Sequence, residues 1–130
     1  MRFFRGARAA RAGAFESGGH GQSALEIMER NGIKYNIVKT YPNGVRIGNI
    51  PSIRTKMKRS GTGMAWFPKN WTVRDMVRAG EHVCQLKINR GVRDGITFYG
   101  TYKGVRVGIK KTHGQISTIF PAYNQPKGRR

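Results

Sequence analysis

Acidic side chains are scarce in this sequence, and their scarcity limits the chemistry that it can perform. Only 6 residues are Asp or Glu. A two-metal nuclease needs several carboxylates that converge on a pair of cations. The motifs HExxH, HxxH and CxxC and the Walker-type glycine loop are also missing. We therefore expect a chain that uses no metal ion and no cofactor.

Cysteine is almost absent as well. The single residue, Cys84, excludes an intrachain disulfide framework and a multi-cysteine zinc site. It falls in an apolar helical pattern, so we interpret it as a small core residue. No apolar run approaches the roughly 18 residues that a transmembrane helix requires, so we expect no membrane-spanning segment.

What the sequence has in excess is positive charge. It carries 25 Lys and Arg residues against 6 acidic ones, a formal net charge of +19 at pH 7. Basic residues spread over a folded domain neutralise phosphates and release counterions, so nucleic acid is the favoured partner. A membrane surface is less favoured, because no basic amphipathic helix with an aromatic apolar face is evident. An acidic protein that covers the basic face is a further expected partner.

The length of 130 residues predicts one domain. We interpret residues 1–22, rich in Arg, Ala and Gly, as a flexible basic linker, and residues 23–123 as the catalytic domain. Residues 124–130 are expected to be a frayed tail. His20 lies in the stretch "GGHGQ", whose glycines would let the backbone approach a ligand, but we favour the linker interpretation for it.

The first half of the domain predicts a helix and a hairpin. Ser23 followed by Glu26 is a capping-box pattern, and Gly32 is a stop signal. Two β-rich runs then surround a Pro-Asn-Gly turn at residues 42–44.

The second half predicts a longer helix and three strands. Thr72 with Asp75 forms a second capping pattern, and the helical period continues to about residue 87. Two strands surround a turn at residues 103–104, and "QISTIF" forms a third before Pro121. This order predicts an α+β fold in which short N-terminal helices pack on a twisted antiparallel β-sheet.

RNA can be cleaved without a metal ion because its own 2′-OH is the nucleophile. Such a site needs a base, an acid, and cations or hydrogen-bond donors for the charge that develops on phosphorus. Histidine serves as base or acid near neutrality. His113 lies beside Lys110 and Lys111 at a connection between strands, where the lysines would attract phosphate. The alternative is an exposed histidine in a basic turn.

The last strand carries two hydroxyl side chains. Alternation places Ile116, Thr118 and Phe120 on one face, and Ser117 and Ile119 on the other. Either hydroxyl is a candidate phosphate ligand. Ordinary β-propensity is the alternative explanation, since threonine is common in strands.

Residues 51–70 show neither helical nor strand periodicity, which is typical of a functional loop. Cations beside aromatic rings suit single-stranded RNA, with phosphates on the cations and bases stacked on the rings. The alternative for the aromatic side chains is a role as core anchors. The candidate RNA-binding residues of this segment are Arg54, Lys56, Lys58, Arg59, Thr62 and Trp66.

Two motifs are similar to those of a known family. The run "GTGMAWFPKNWTVRDM" resembles the G-K-x-x-F-P-x-x-W-S segment of bacterial EndoU-type ribonuclease domains. The runs "GVRVGI" and "GQISTIFP" resemble their closing GVxIxV and GxIxTxYP. Such domains are typically C-terminal payloads of polymorphic toxins used in contact-dependent competition between bacteria, and they share the barnase/EndoU/colicin/RelE-like fold. The resemblance covers residues 33–123.

This resemblance implies a function. The family's activity would be metal-independent endonucleolytic cleavage of RNA, with tRNA among the candidate substrates, by 2′-OH attack that leaves a 2′,3′-cyclic phosphate. An acidic cognate immunity protein would neutralise it, and the domain would otherwise be a monomer. It would be secreted, or delivered into the cytoplasm of a target cell, as part of a larger toxin.

The sequence departs from the family pattern at several positions. Thr118 matches the family's strand threonine, but Phe120 stands where a tyrosine is expected. The two histidines that usually precede the FP segment fall on Tyr35 or Asn36, and on Ile53.

Two interpretations of these departures remain open. In one, the site has been rebuilt in the C-terminal part of the domain. In the other, the chain is a non-catalytic basic RNA-binding module, for example a ribosome-associated protein. A DNA-cleaving toxin is a further alternative, and it would require a divalent metal. The candidate catalytic residues are His113, Lys110, Lys111, Thr118, Ser117 and Tyr123.

Overall fold

A computed structural model describes residues 20–52 and 63–127 of the chain. These residues form two three-stranded antiparallel sheets and two α-helices. The predicted α+β fold is therefore confirmed. Neither of the described helices combines the length and the hydrophobicity needed to cross a membrane.

The first sheet has the strand order β1-β2-β3. Its strands are β1 (Asn36–Thr40), β2 (Arg46–Asn49) and β3 (Met64–Trp66). β3 lies in the segment that the sequence predicts to be an irregular loop, and this part of the prediction is wrong. A strand of three residues is too short to display a period of two, so only its pairing with β2 reveals it.

The turn between β1 and β2 forms as the Pro-Asn-Gly sequence predicts. Gly44 has a φ of +97°, a conformation that favours glycine. Its N–H donates to the carbonyl of Tyr41 over 2.8 Å. The side-chain oxygen of Asn43 accepts from the N–H of Val45 at 3.0 Å. Local turn chemistry therefore closes this hairpin.

The second sheet has the order β4-β5-β6 and confirms the three predicted strands. They are β4 (Phe98–Tyr102), β5 (Val105–Thr112) and β6 (Gln115–Pro121). β3 lies against β6, so the two sheets meet along these strands.

A β-bulge interrupts the alternation of β6. Lys110 pairs with Thr118, but the next residue of β5 pairs with Ile116, so Ser117 is an extra residue. Ile116 and Ile119 are consequently both buried. The prediction that Ile116 shares a face with Thr118 is wrong, because the bulge moves the alternation by one residue.

Helix α1 (Gln22–Arg30) begins earlier than its sequence pattern predicts. Gly21 is the N-cap residue and makes no side-chain capping bond, so the predicted capping box at Ser23 is wrong. The side-chain oxygen of Gln22 accepts instead from the guanidinium of Arg46 on β2 at 2.6 Å. A tertiary contact, rather than a local cap, thus accompanies the start of this helix.

The end of α1 follows its glycine signal. Gly32 has a φ of +71°, and its N–H donates to the carbonyl of Glu29 at 3.2 Å. The N–H of Ile33 donates to the carbonyl of Met28 at 2.9 Å. These two bonds form a Schellman motif, which confirms the predicted stop.

Helix α2 (Val73–Gln85) has the complete capping box that the sequence predicts. The Thr72 hydroxyl accepts from the Asp75 N–H at 3.1 Å, and the Asp75 carboxylate accepts from the Thr72 N–H at 2.8 Å. The helix packs on β4, β5 and β6. Its buried residues are Met76, Ala79, Gly80 and Val83.

Both ends of the described chain are more ordered than the sequence predicts. His20 and Gln22, assigned to the linker, hydrogen-bond to the folded domain. Gln125, assigned to the frayed tail, is only 7% exposed. Its side-chain amide accepts from the N–H of Arg106 and donates to the Arg106 carbonyl, each at 2.8 Å. This amide extends the ladder of β5, an arrangement that composition alone does not indicate.

Candidate functional site

In the part of the chain that the structure describes, α2 covers one face of the sheet of β4, β5 and β6 and leaves the other open. α2 lies on the covered face, where a Cβ at Gly100 would contact Val83. On the opposite face, a Cβ at Gly108 would collide with the rings of Phe120 and Tyr99. These rings therefore lie across the sheet at Gly108. We call this surface the open face. Its side chains include Tyr99, Arg106, Lys110, Thr118 and Phe120.

Lys110 and Thr118 are the two predicted site residues that the open face brings together. They are directly opposite each other on β5 and β6. Such cross-strand neighbours have Cβ atoms about 5 Å apart. The lysine is exposed and the threonine half-buried. A cation and a hydroxyl donor can thus contact one phosphate group at this pair.

His20 lies at the border between the open face and β3. Its ring centroid is 6.2 Å from that of Phe120. The Nδ1 atom of His20 lies 2.9 Å from the carbonyl oxygen of Ala65, and the His20 carbonyl accepts from the N–H of Phe67. β3 and the residue after it therefore hold both the ring and the backbone of this histidine.

The contact with β3 determines which nitrogen of His20 is basic. A carbonyl oxygen only accepts hydrogen bonds, so Nδ1 must carry the proton. In the neutral ring the lone pair then belongs to Nε2, which is the form of histidine that acts as a general base.

The sequence pattern predicts a linker role for His20. The signal that could have indicated a site is its position between glycines, which permit a close approach of the backbone to a ligand. The contact itself joins residues 45 positions apart, and no local pattern encodes it.

His113 is at the tip of the β5–β6 hairpin, away from the Lys110–Thr118 pair. It has a φ of +56° and Gly114 a φ of +76°, which is the geometry of a two-residue type I′ turn. It is exposed and follows Lys110 by three residues, about 10 Å along an extended strand. The structure therefore does not place His113 beside Thr118, and this arrangement favours the alternative of a turn histidine.

Two other candidates are also separated from the open face. The Nζ atom of Lys111 lies 6.0 Å from the ring centroid of the buried Phe98, on the side covered by α2. The Ser117 hydroxyl donates to the carbonyl of Lys110 at 3.1 Å and accepts from the Thr112 hydroxyl at 2.9 Å. These bonds give Ser117 a structural role in the bulge.

Tyr123 lies where the open face meets the start of β3. Its hydroxyl donates to the carbonyl of Gly63 at 2.8 Å, and its own carbonyl accepts from the Tyr41 hydroxyl at 2.8 Å. Burial raises the pKa of the Tyr123 phenol, and the neighbouring Tyr99 raises it further. The phenol of Tyr123 is therefore protonated at neutral pH.

An aromatic and cationic stack occupies the other end of the open face. The guanidinium carbon of Arg106 lies 4.5 Å from the ring centroid of Tyr99. The Tyr99 ring makes an edge contact with Phe120, with centroids 6.1 Å apart. Since His20 contacts Phe120 as well, aromatic side chains run across the sheet from β4 to the border with β3.

Of the predicted RNA-binding residues in the 51–70 segment, the structure describes one, Trp66. Arg54, Lys56, Lys58, Arg59 and Thr62 lie outside the described residues. Trp66 has no exposed surface and packs in a cluster with Leu25 and Ile50. It leaves no ring face on which a base could stack. This corrects its assignment to RNA binding and confirms the alternative of a core anchor.

The electrostatics of the open face suit an anion. β4, β5 and β6 contain no Asp or Glu, whereas Arg106 and Lys110 project from the open face. Across residues 20–52 and 63–127, no group of three or more His, Cys, Asp or Glu side chains could hold a metal ion.

The chain is similar to a known protein family. The model of the family described as bacterial EndoU nuclease matches residues 5–123, a span that includes His20 and the whole open face. No curated protein and no solved structure matches the chain.

Proposed function

The chain belongs to the bacterial EndoU nuclease family, and from this premise we propose that it is a metal-independent endoribonuclease whose site lies where the open face meets β3. The observation that carries the proposal is the bond between His20 Nδ1 and the Ala65 carbonyl, which leaves Nε2 as the basic nitrogen. That histidine borders the same face as Lys110 and Thr118.

In the proposed reaction, Nε2 of His20 removes the proton of a ribose 2′-OH. The 2′-oxygen attacks phosphorus, and the bond from phosphorus to the 5′-oxygen breaks. The products are a 2′,3′-cyclic phosphate and a 5′-OH. The Lys110 ammonium and the Thr118 hydroxyl stabilise the negative charge that develops on the phosphate oxygens.

The leaving 5′-oxygen requires a proton. Tyr123 is the candidate donor that the geometry favours, because burial keeps its phenol protonated and it borders the same face. His113 is the alternative donor, and variants of the two residues distinguish them. The 51–70 segment would contribute further phosphate contacts through its cluster of cations.

The net charge of +19 supports the proposed partners. RNA, with tRNA among the candidates, would bind the basic surface. An acidic cognate immunity protein would cover that surface and block the site of a domain that is otherwise a monomer. Delivery into a target cell as part of a larger toxin fits a nuclease that must be kept from the RNA of the cell that makes it.

The test is incubation of the purified protein with total RNA in EDTA, followed by analysis of the product ends. We expect cleavage with 2′,3′-cyclic phosphate termini. His20→Ala should lower the rate about 10²- to 10⁴-fold, which is the usual contribution of general acid–base catalysis. Tyr123→Phe and His113→Ala then distinguish the two candidate donors, and Lys87→Gln, which removes an exposed cation outside the open face, is the control that should retain the activity.

Three results would contradict parts of this proposal. RNA that is bound but left intact would favour a non-catalytic RNA-binding module. Cleavage that needs a divalent metal, or that acts on DNA alone, would exclude the mechanism. Activity that survives His20→Ala but is lost in His113→Ala would return the site to the tip of the β5–β6 hairpin.

A further inference from the structure

We propose that Tyr99 and Arg106 form a second nucleotide subsite, which binds a base next to the two nucleotides that flank the scissile bond. The inference rests on the proposed endoribonuclease function, since it extends the same open face. It adds a residue pair that is neither among the candidate residues of the sequence analysis nor part of the proposed catalytic arrangement.

The Tyr99–Arg106 pair is organised in advance of binding. The guanidinium of Arg106 lies 4.5 Å from the centre of the Tyr99 ring, and Phe120 contacts the edge of that ring. The close approach of both rings to Gly108 fixes them against the backbone of β5. A base that stacks here therefore meets side chains that are already ordered, which reduces the entropic cost of binding.

The exposure of Tyr99 also favours a ligand. The side chain is 38% exposed on the outside of a sheet, whereas the core aromatic residues Trp66 and Phe67 are fully buried. Among the described residues, Arg106 makes no ion pair with a carboxylate. Its positive charge is consequently available to a phosphate group, while its planar guanidinium can stack on a base.

The position of the pair suggests which nucleotide it binds. Arg106 and Lys110 lie on the same face of β5, four residues and about 13 Å apart. The rings of Tyr99 and Phe120 lie between Arg106 and Lys110, because both rings pack over Gly108, which is midway between these two residues on β5. A strand whose scissile phosphate lies at Lys110 and Thr118 would therefore reach Tyr99 with a neighbouring nucleotide.

The first experiment uses the wild-type protein and short oligonucleotides. Each contains a single ribonucleotide in a 2′-deoxy strand, so that only one bond can be cut. A dinucleotide is compared with trinucleotides that carry one more nucleotide on the 5′ or the 3′ side, either with its base or as an abasic residue. On one of the two sides, we expect the base to raise kcat/KM on the order of 5- to 150-fold, the range for one stacked base.

Variants then assign that effect to the subsite. Tyr99→Ala should reduce the ratio of base-containing to abasic rates to near 1, whereas Tyr99→Phe should preserve it because the ring remains. Arg106→Lys keeps the charge but loses the planar stack, so the ratio should fall. Lys87→Gln removes an exposed cation of another surface and should leave the ratio unchanged. Thermal unfolding of each variant shows whether it is folded.

The outcomes separate this inference from the proposed function. If the added base leaves kcat/KM unchanged on both sides, the subsite alone is overturned. The same holds if the effect of the base on kcat/KM persists in both Tyr99→Ala and Arg106→Lys. If Tyr99→Ala fails to fold, the pair Tyr99→Phe and Arg106→Lys decides. No cleavage of any ribonucleotide bond overturns the proposed function. In that case, fluorescence anisotropy measures the binding of two labelled all-deoxy trinucleotides, one with the added base and one abasic at that position. The difference between their affinities tests the subsite without cleavage.

Discussion

The three histidines have different contacts, although they are the same residue type. The ring of His20 is tied to the β3 backbone. The ring centroid of His82, on α2, lies 5.4 Å from that of Tyr102, and His113 occupies a turn. Of the three, His20 is the one whose ring contacts a side chain of the open face, Phe120. The same residue type thus has three environments, and the proposed catalysis rests on the first.

Cys84 is a residue whose chemistry is altered by its environment. Burial raises the pKa of its thiol from 9.0 to about 11. At pH 8, the thiolate fraction should therefore be about 10⁻³, and thiolate is the reactive form. We expect a thiol-specific reagent to label Cys84 much more slowly in the native protein than in denaturant, as followed by mass spectrometry. Equal rates in the two states would contradict the pKa shift.

The raised pKa also predicts a pH dependence of stability. The folded state favours the neutral thiol, so its contribution is fully present below pH 9 and is lost as the pH rises through about 11. The free energy of unfolding should fall more steeply over this interval in the wild type than in Cys84→Ala.

At the scale of elements, local signals set the start of α2 and the β1–β2 turn, while close approaches set the strand registers. The Thr72–Asp75 box and the glycine at 44 are local devices. The bulge at Ser117 and the contact between Gly48 and the Asn36 carbonyl depend on a partner strand. These two kinds of determinant predict different mutational behaviour.

The capping box should stabilise α2 measurably. Thr72→Ala removes the acceptor of the Asp75 N–H and should lower the free energy of unfolding by about 1 kcal/mol, within a range of roughly 0.5–2 kcal/mol. The matched control is Val73→Ala at the next, exposed position, which should change stability by less than about 0.5 kcal/mol. Denaturant unfolding monitored by circular dichroism measures both. Equal losses in the two variants would argue against the cap.

The capping box is also sensitive to acid. The hydrogen bond from the Thr72 backbone lowers the pKa of Asp75, so the folded state favours its charged form. This contribution is present above the unfolded pKa of about 3.9 and is lost as the pH falls through the lower folded value. In Asp75→Asn that part of the acid dependence should disappear. An unchanged pH profile would show that Asp75 does not contribute.

Gly48 should be intolerant of any side chain. A Cβ at this position would overlap the backbone carbonyl of Asn36 on β1, beside the irregular pairing at Ile37. We expect Gly48→Ala to lower the free energy of unfolding by about 1–3 kcal/mol, the usual cost of overpacking. Val38→Ala, an exposed change on the partner strand β1, is the control in denaturant unfolding and should cost less. Full stability of Gly48→Ala would contradict the close approach.

At the scale of the whole molecule, the proposed site lies where the two sheets meet. β3 belongs to the first sheet and holds His20, whereas β6 belongs to the second and carries Thr118. The proposed base and the proposed phosphate ligands therefore lie on different sides of this border. We expect the excess of positive charge, which acts over the molecule as a whole, to attract a polyanion.

Salt dependence should report this attraction. The logarithm of the affinity for a single-stranded, all-deoxy oligonucleotide should fall linearly with the logarithm of the salt concentration, by about 0.7 per phosphate neutralised. Lys110→Gln should reduce the slope by about 0.7. Lys87→Gln, on the 3₁₀ turn after α2, should leave it unchanged. Equal effects of the two variants would indicate binding without a defined site.

Several features were determined by the sequence alone. The charge, the turn glycines and the capping pair at Thr72 act locally or additively, so their consequences could be predicted without tertiary structure. The FP and TIFP motifs likewise identified the family. The pairing of Lys110 with Thr118 is not one of these features, because an unbroken hairpin would pair Lys110 with Ser117 and only the bulge brings Thr118 opposite the lysine.

The tertiary structure decided the rest. It buried Trp66, paired Gln125 with Arg106, and turned Lys111 towards α2. It also brought His20 to Ala65, which is 45 residues away. Each of these outcomes depends on which surfaces meet when two sheets pack. A periodicity of two or 3.6 residues describes how a segment faces its surroundings, but it does not specify which distant segment lies there.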